Sequence, residues 1–254
     1  MRGWLGPLGR YRPGIVRQDM ARGFRNCDGW TLPGWARLPR WSSPEERMLE
    51  RMDLRGQVVY DVGAYRGAYS LFFSRRVGPA GRVIAFEPEA RNFALLRRNL
   101  ERNQVRNVMP LQIALGEERD LRTIYGLPGM PTTASLAEEA RTPLRRARGQ
   151  ACVESLDELL GALALPQPQF LKIDVEGMEL EVLRGAAKTL ERLRPGLLIE
   201  LHGCSRGHKR RRAAELAELL QPCGYALIHA ESGRVVRGES EGGVVAGHIF
   251  AQGA

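Results

Sequence analysis

At 254 residues the chain has room for one sizeable α/β domain with an appendage and is short for two. Its 43% hydrophobic and 26% charged content is ordinary for a globular enzyme, and no apolar run approaches the roughly 20 residues needed to cross a bilayer, which argues against a membrane span. A net charge of +9 permits nucleic acid, an anionic surface or an acidic substrate as partner; yet all of the 38 basic residues except Lys172, Lys188 and Lys209 are arginine, a skew that genomic base composition produces without any binding role, so nucleic acid is not favoured.

Residues 1–42 are rich in Gly, Arg, Pro and Trp without helical or alternating periodicity, and read as an irregular arm ahead of a domain at 43–254. The arm lacks the apolar stretch of about 7–15 residues that a secretory signal needs, which points to a cytoplasmic protein. Trp30, Trp35 and Trp41 read as packing aromatics rather than a stacking platform. Cys27, Cys152, Cys204 and Cys223 are scattered without a CxxC pair, fitting reduced thiols better than a disulfide or zinc framework.

The helical signal starts at Ser43-Pro44-Glu45-Glu46, which supplies an N-cap, a proline at the first helical position and a capping-box acid, and predicts a helix to about residue 52. Short apolar runs then alternate with amphipathic stretches. Strands are predicted at 57–62, 82–87, 108–115, 170–175, 197–202, 225–230 and 246–252, and helices at 67–77, 89–103, 156–163, 178–192 and 209–221. This order predicts a Rossmann-like α/β fold, a seven-stranded, mostly parallel sheet with helices on both faces, whose ligands sit beyond the carboxyl ends of the strands. Residues 117–150, with Gly-Leu-Pro-Gly-Met-Pro at 126–131 and a basic patch at 141–148, interrupt the alternation and read as an insertion shaping acceptor entry. The run Lys209-Arg210-Arg211-Arg212 reads as a solvated helix face.

The first strand ends in Asp61-Val62-Gly63-Ala64-Tyr65-Arg66-Gly67, giving strand, glycine turn and helix in that order. Gly63 permits a tight turn close to a ligand, Gly67 lets the helix start near the sheet, and Asp61 offers a carboxylate to an ammonium group. The GxGxxG pattern of a pyrophosphate cradle is incomplete, since Tyr65 and Arg66 occupy the turn, and this disfavours an NAD(P)-dependent oxidoreductase. The second strand ends in Phe86-Glu87-Pro88, where a carboxylate can accept hydrogen bonds from both hydroxyls of a ribose. Glu87 also suits the N-terminal end of the next helix, and the two roles are compatible.

Taken together, VVYDVGAYRGAYS, VIAFEP and FLKIDVEGMELEVLRGA followed by LLIELHG resemble the FkbM family of S-adenosylmethionine-dependent methyltransferases over roughly residues 46–202. The resemblance implies a class I methyltransferase fold. It implies that the methionine end of S-adenosylmethionine lies near Asp61, Gly63, Ala64 and Tyr65, its ribose on Glu87 beside Pro88, and its adenine against Ala114 and Leu115. Tyr65-Arg66 departs from the Asn- or His-containing turn frequent in relatives.

Methyl transfer requires the acceptor to line up behind the methyl group, and a hydroxyl acceptor must also lose a proton. Candidates at the neighbouring strand tips are Asp174, Glu176, Glu200 and His202, with Glu200 and His202 on one face by strand alternation. His202 is the favoured base because an ordinary imidazole titrates near neutrality, a locally satisfied histidine being the alternative. Asp174 could orient the acceptor or stabilise the sulfonium, Glu176 could cap the following helix, and Lys172 reads as supporting. No metal site is predicted; a divalent cation shared by Asp174 and Glu200 is the less favoured alternative. The reading is O-methylation of a hydroxyl on a small molecule, natural product or glycan, with RNA methylation and non-catalytic cofactor binding as the alternatives.

Overall fold

The computed structural model describes residues 44–129, 133–138, 141–203, 205–236 and 247–253. The expectations for the arm at 1–42, its tryptophans, the Ser43 cap, Cys27 and Cys204 lie outside those residues.

In chain order the elements are α1 (Pro44–Arg51), β1 (Val58–Val62), α2 (Ala68–Val77), β2 (Arg82–Phe86), α3 (Ala90–Arg102), β3 (Val108–Leu111), β4 (Ala114–Gly116), β5 (Asp120–Gly126), β6 (Arg146–Ser155), α4 (Leu156–Ala162), β7 (Phe170–Ile173), α5 (Glu179–Arg184), α6 (Ala187–Leu193), β8 (Gly196–Leu201), α7 (Arg206–Leu220), a 3-10 turn (Gln221–Cys223), β9 (Tyr225–His229) and β10 (Gly247–Gly253). The main sheet has seven strands in the order β3-β2-β1-β7-β8-β10-β9. The first five are mutually parallel, and β10 pairs antiparallel with both β8 and β9. This is the mostly parallel sheet that the strand pattern predicts, and the order reverses at β1, where chain crossings leave a crevice beyond the strand tips.

Strand alternation feeds two cores. Tyr60, Val62, Ile84, Phe86, Leu171 and Ile173 point to one face, where α4, α5, α6 and α7 cover them with Leu156, Leu183, Leu190 and Leu216. Val59, Val83, Phe170 and Leu198 point to the other, against Leu49 of α1 and Phe72, Phe73 and Val77 of α2. Leu71 of α2 joins Leu96 and Leu100 of α3 over Ala85. A sheet buried on both faces explains the near-continuous apolar runs of its central strands.

Three predicted elements differ. The run at 108–115 is two strands: β3 stays in the main sheet, whereas β4 leaves it and pairs with β6 in a second, three-stranded sheet of order β4-β6-β5. Residues 117–150, read as an insertion and assigned no strand, supply β5 and part of β6. The helix expected at 178–192 is broken into α5 and α6 at Gly185, which packs so close to the carbonyl of Gly116 at the end of β4 that no Cβ fits.

Arginines of the 141–148 patch hold this second sheet together. Arg145 donates to the Thr133 carbonyl (2.7 Å) and Arg148 to that of Leu127 (2.6 Å). Among the described residues no helix is long and apolar enough to cross a membrane.

Candidate active site

The loop leaving β1 is fixed before any side chain acts. The backbone N–H groups of Gly63 and Ala64 both donate to the Phe86 carbonyl at the tip of β2 (3.0 and 2.9 Å). Gly63 has φ +81°, and a Cβ on it would overlap the carbonyl of Asp174 beyond β7, so this position demands glycine twice over. Gly67 caps α2 at φ +88°, and a Cβ on it would meet the Leu96 side chain of α3. Tyr65 also lies in the left-handed region, at φ +52°.

That turn aims the Tyr65 N–H at Glu87, whose Oε2 accepts it at 2.8 Å. Oε1 accepts from the Glu89 N–H (3.0 Å) and stands 3.5 Å from Asn92 Nδ2. Glu87 is 5% exposed, and burial pushes its carboxyl up to about 7 against the pull of these donors. Beyond it opens a cleft of about 690 Å³, open to solvent. Its lining combines the polar Glu87, Asp174 and Glu176 with Gly63, Tyr65 and Pro88 and the apolar Ala114, Leu115 and Met178. Ile124, Ser135 and Leu136 bring the second sheet to the cleft as a wall.

Asp61 is placed differently from its neighbours. It is fully buried, outside the cleft lining, and paired in register with Lys172 on β7. Its Oδ2 accepts from Ser70 Oγ (2.6 Å) and its Oδ1 is 3.7 Å from Lys172 Nζ, so the ammonium it meets here belongs to the protein. Burial raises its pKa, with Lys172 and Ser70 opposing. Lys172 in turn donates to Asp174 Oδ2 (3.0 Å) and lies over the Tyr69 ring (4.4 Å).

The four acceptor-side candidates do converge. His202 Nε2 stands 3.8 Å from Asp174 Oδ1, 3.8 Å from Glu176 Oε2 and 3.8 Å from Glu200 Oε1. Its Nδ1 is 2.8 Å from Oε1 of the fully buried Glu179. Burial works against the charged imidazole, but the Glu179 contact and the charges of Asp174, Glu179 and Glu176 prevail and hold His202 at about 9. His202 is therefore not the ordinary imidazole expected of a neutral base: with a ring of carboxylates around it, it carries a proton near neutral pH. Glu176 lies at a left-handed φ of +53°, before Gly177, and burial raises its carboxyl while His202 opposes this.

Several contributors are not legible in the sequence. Glu179 looks like a helix N-terminal acid but is wholly buried, accepts from the Gly177 N–H (2.9 Å) and holds His202. Arg212, read as part of a solvated run, turns inward, donates to the Gly177 carbonyl and lies 3.8 Å from Glu179 Oε2. Glu200 also faces His248 Nε2 at 3.5 Å. His248 and His229 both bond Glu231, each at 2.9 Å, and the buried Glu45 of α1 lies 3.8 Å from His248. Only a three-dimensional neighbourhood identifies these, because no local spacing links residues 45, 200, 231 and 248.

The model for the Methyltransferase FkbM domain matches residues 61–227, well over half the chain. "Methyltransferase 1" of Beauveria bassiana is 31% identical over 143 residues, covering 50% of this chain and 57% of that protein. "Hexuronic acid methyltransferase AglP" of Haloferax volcanii is 29% identical over 146 residues, covering 57% of this chain and 56% of that protein. The chain thus spans a little over half the length of these curated relatives. The crystal structure of Methyltransferase FkbM from Methylobacillus flagellatus KT superposes with a TM-score of 0.52 at 18% identity, covering 80% of this chain and 45% of that one, a likeness of fold. From the matched domain model, the sheet order and the motifs at the tips of β1, β2 and β7, the chain belongs to the FkbM family of methyltransferases.

Proposed function

We propose that the protein is an S-adenosylmethionine-dependent methyltransferase acting on a hydroxyl of a small molecule or glycan. The observation that carries this reading is a cleft lined by the buried carboxylate of Glu87, by the apolar Ala114 and Leu115, and by Asp174 and Glu176, whose carboxylates in turn face the imidazole of His202.

The donor set fits the cofactor. Glu87 would accept from the ribose hydroxyls, its geometry fixed in advance by Tyr65 and Glu89, and Ala114 and Leu115 would pack against the adenine. Gly63, Ala64 and Tyr65 would border the methionine end, with Gly67 and Asp61 shaping the loop from behind. S-adenosylmethionine, when bound, supplies an electrophilic methyl group. The negative charge of Asp174 and Glu176 in the cleft lining would suit a neighbouring sulfonium.

On the acceptor side, Asp174, Glu176 and Glu200 would bind and orient hydroxyl groups, for which carboxylates are strong acceptors. The second sheet would form the wall over which an acceptor enters. A polyhydroxyl acceptor is in keeping with a relative named for hexuronic acid. RNA is disfavoured because Arg145 and Arg148 of the basic patch are engaged within the fold.

The test is methyl transfer from labelled S-adenosylmethionine to small-molecule and glycan extracts, with the labelled product identified by mass spectrometry and NMR. Label on an oxygen of such an acceptor supports the reading; label recovered only in RNA, or on nitrogen, overturns it.

A further inference from the structure

We propose that Asp174, Glu200 and His202 form a binding site for one divalent cation of the magnesium or manganese type, with Glu176 beside it. The inference deepens the proposed function, and rests on it only for the cation's role.

Asp174, Glu200 and His202 can each turn one ligand atom to within 4.8 Å of the others. Around His202 Nε2, the Asp174, Glu176 and Glu200 oxygens stand at 3.8 Å apiece, beyond hydrogen-bond distance. Atoms bound to a common ion at about 2.1–2.4 Å lie about 3–4.5 Å from one another, so this spacing suits co-ligands as well as ion pairs. Carboxylate oxygens with a single imidazole suit a hard or borderline divalent ion.

Convergence of acids alone would be weak ground; the stronger observation is how the inward atoms are held. Lys172, with 4% of its side chain exposed, pins the outer oxygen of Asp174 at 3.0 Å and leaves Oδ1 facing inward. On the opposite side Glu179, with 0% exposed, pins His202 Nδ1 at 2.8 Å and leaves Nε2 facing inward. A carboxylate behind a histidine, fixing its ring orientation and raising its basicity, is the usual support of a metal-bound imidazole. Glu179 is costly to bury: its Oε1 serves the Gly177 N–H and His202, while its Oε2 is buried without a hydrogen bond 3.8 Å from Arg212. Glu200 is supported likewise, with Oε2 facing His248 at 3.5 Å and Oε1 facing inward.

Three protein ligands leave coordination positions open for oxygens of the acceptor, so the ion would both orient a diol or hydroxy acid and acidify its hydroxyl. The acceptor O–H bond would break with its proton passing to Glu176, the oxygen pair would form the new O–CH3 bond, and the CH3–S pair would leave with sulfur. Coordination through Nε2 takes the place of a proton on that nitrogen.

The test is titration of the full chain, free of any affinity tag and of cofactor, with Mn2+ followed by electron paramagnetic resonance. We expect one equivalent bound, competed by Mg2+, with Asp174→Asn, Glu200→Gln and His202→Gln each weakening binding by at least about 10-fold and Glu179→Gln by about 10–100-fold. Circular dichroism melts run alongside identify any variant that fails to fold, and affinities are compared among the folded variants and against the wild-type stoichiometry. No bound Mn2+ at millimolar concentration, or binding unchanged in every folded variant, overturns the proposal. Mn2+ binding without any response to S-adenosylhomocysteine would keep the site and remove the enzyme reading, whereas the reverse pattern would keep the enzyme and remove the site.

Discussion

Gly63 lies so close to Asp174 that no side chain fits between them: a Cβ on Gly63 would overlap the Asp174 carbonyl oxygen and stand 2.8 Å from its carbon. The turn that borders the cofactor end of the cleft and the tip that carries an acceptor-side carboxylate are thus one packed unit. Gly63→Ala must move one of them and also place alanine at φ +81°. We predict a loss of about 2–4 kcal/mol in stability, with binding of S-adenosylhomocysteine lost in the folded fraction; thermal melts and calorimetry check both.

Lys172 is the buried cation between Asp61 and Asp174, with side chains 4%, 0% and 9% exposed. Lys172→Ala would leave two buried carboxylates without it, and the expected cost is about 3–5 kcal/mol. Adding Asp61→Asn should recover part of that loss in urea denaturation, because one of the stranded charges is then gone.

Glu87 sits near 7 through burial, so near neutrality it is divided between protonated and ionised forms. Ribose hydroxyls donate, and the ionised form is the better acceptor. Affinity for S-adenosylhomocysteine should therefore rise from about pH 5.5 to about pH 8.5 and then level off. Calorimetry across that range checks this, and Glu87→Gln should flatten the profile.

Glu231 is held at about 2, since burial, which alone would raise it, is outweighed by its bonds to His229 and His248. A carboxylate whose folded value lies below its ordinary 4.5 contributes stability that is fully present above pH 4.5 and is lost as pH falls from there towards 2. Glu231→Gln should remove this part of the acid dependence, seen as a smaller drop in melting temperature between about pH 5 and pH 3, and should loosen β10 against β9.

The order of strands and helices was legible because β1, β2, β7 and β8 are short apolar runs punctuated by glycine and proline, and both faces of the sheet are buried. The departure of β4 from the main sheet was not, since its partner residues in β6 lie 39 positions on and the run continues through Pro110 and Gln112. Nor was the close approach of Gly185 to the Gly116 carbonyl, which belongs to a different sheet. At the site, Glu87, Gly63 and Gly67 could be found because a turn and a strand tip constrain them locally. Glu179 and Arg212 could not: each obeys an ordinary helix pattern, and only packing between α5 and α7 reveals that they are buried together. The same holds for His202, whose elevated pKa arises from Asp174, Glu176 and Glu179, brought from the turn between β7 and α5 and the start of α5 to the tip of β8.

The proposed enzyme stands or falls on Glu87 holding the ribose of S-adenosylmethionine in the cleft beyond β1 and β2. Calorimetric titration of the wild type and of Glu87→Ala with S-adenosylhomocysteine reads that contact without depending on the acceptor. We expect binding by the wild type and a loss of about 1.5–3 kcal/mol in the variant, with NADH bound by neither. Equal affinity in both folded proteins, or no binding by the wild type, would refute it.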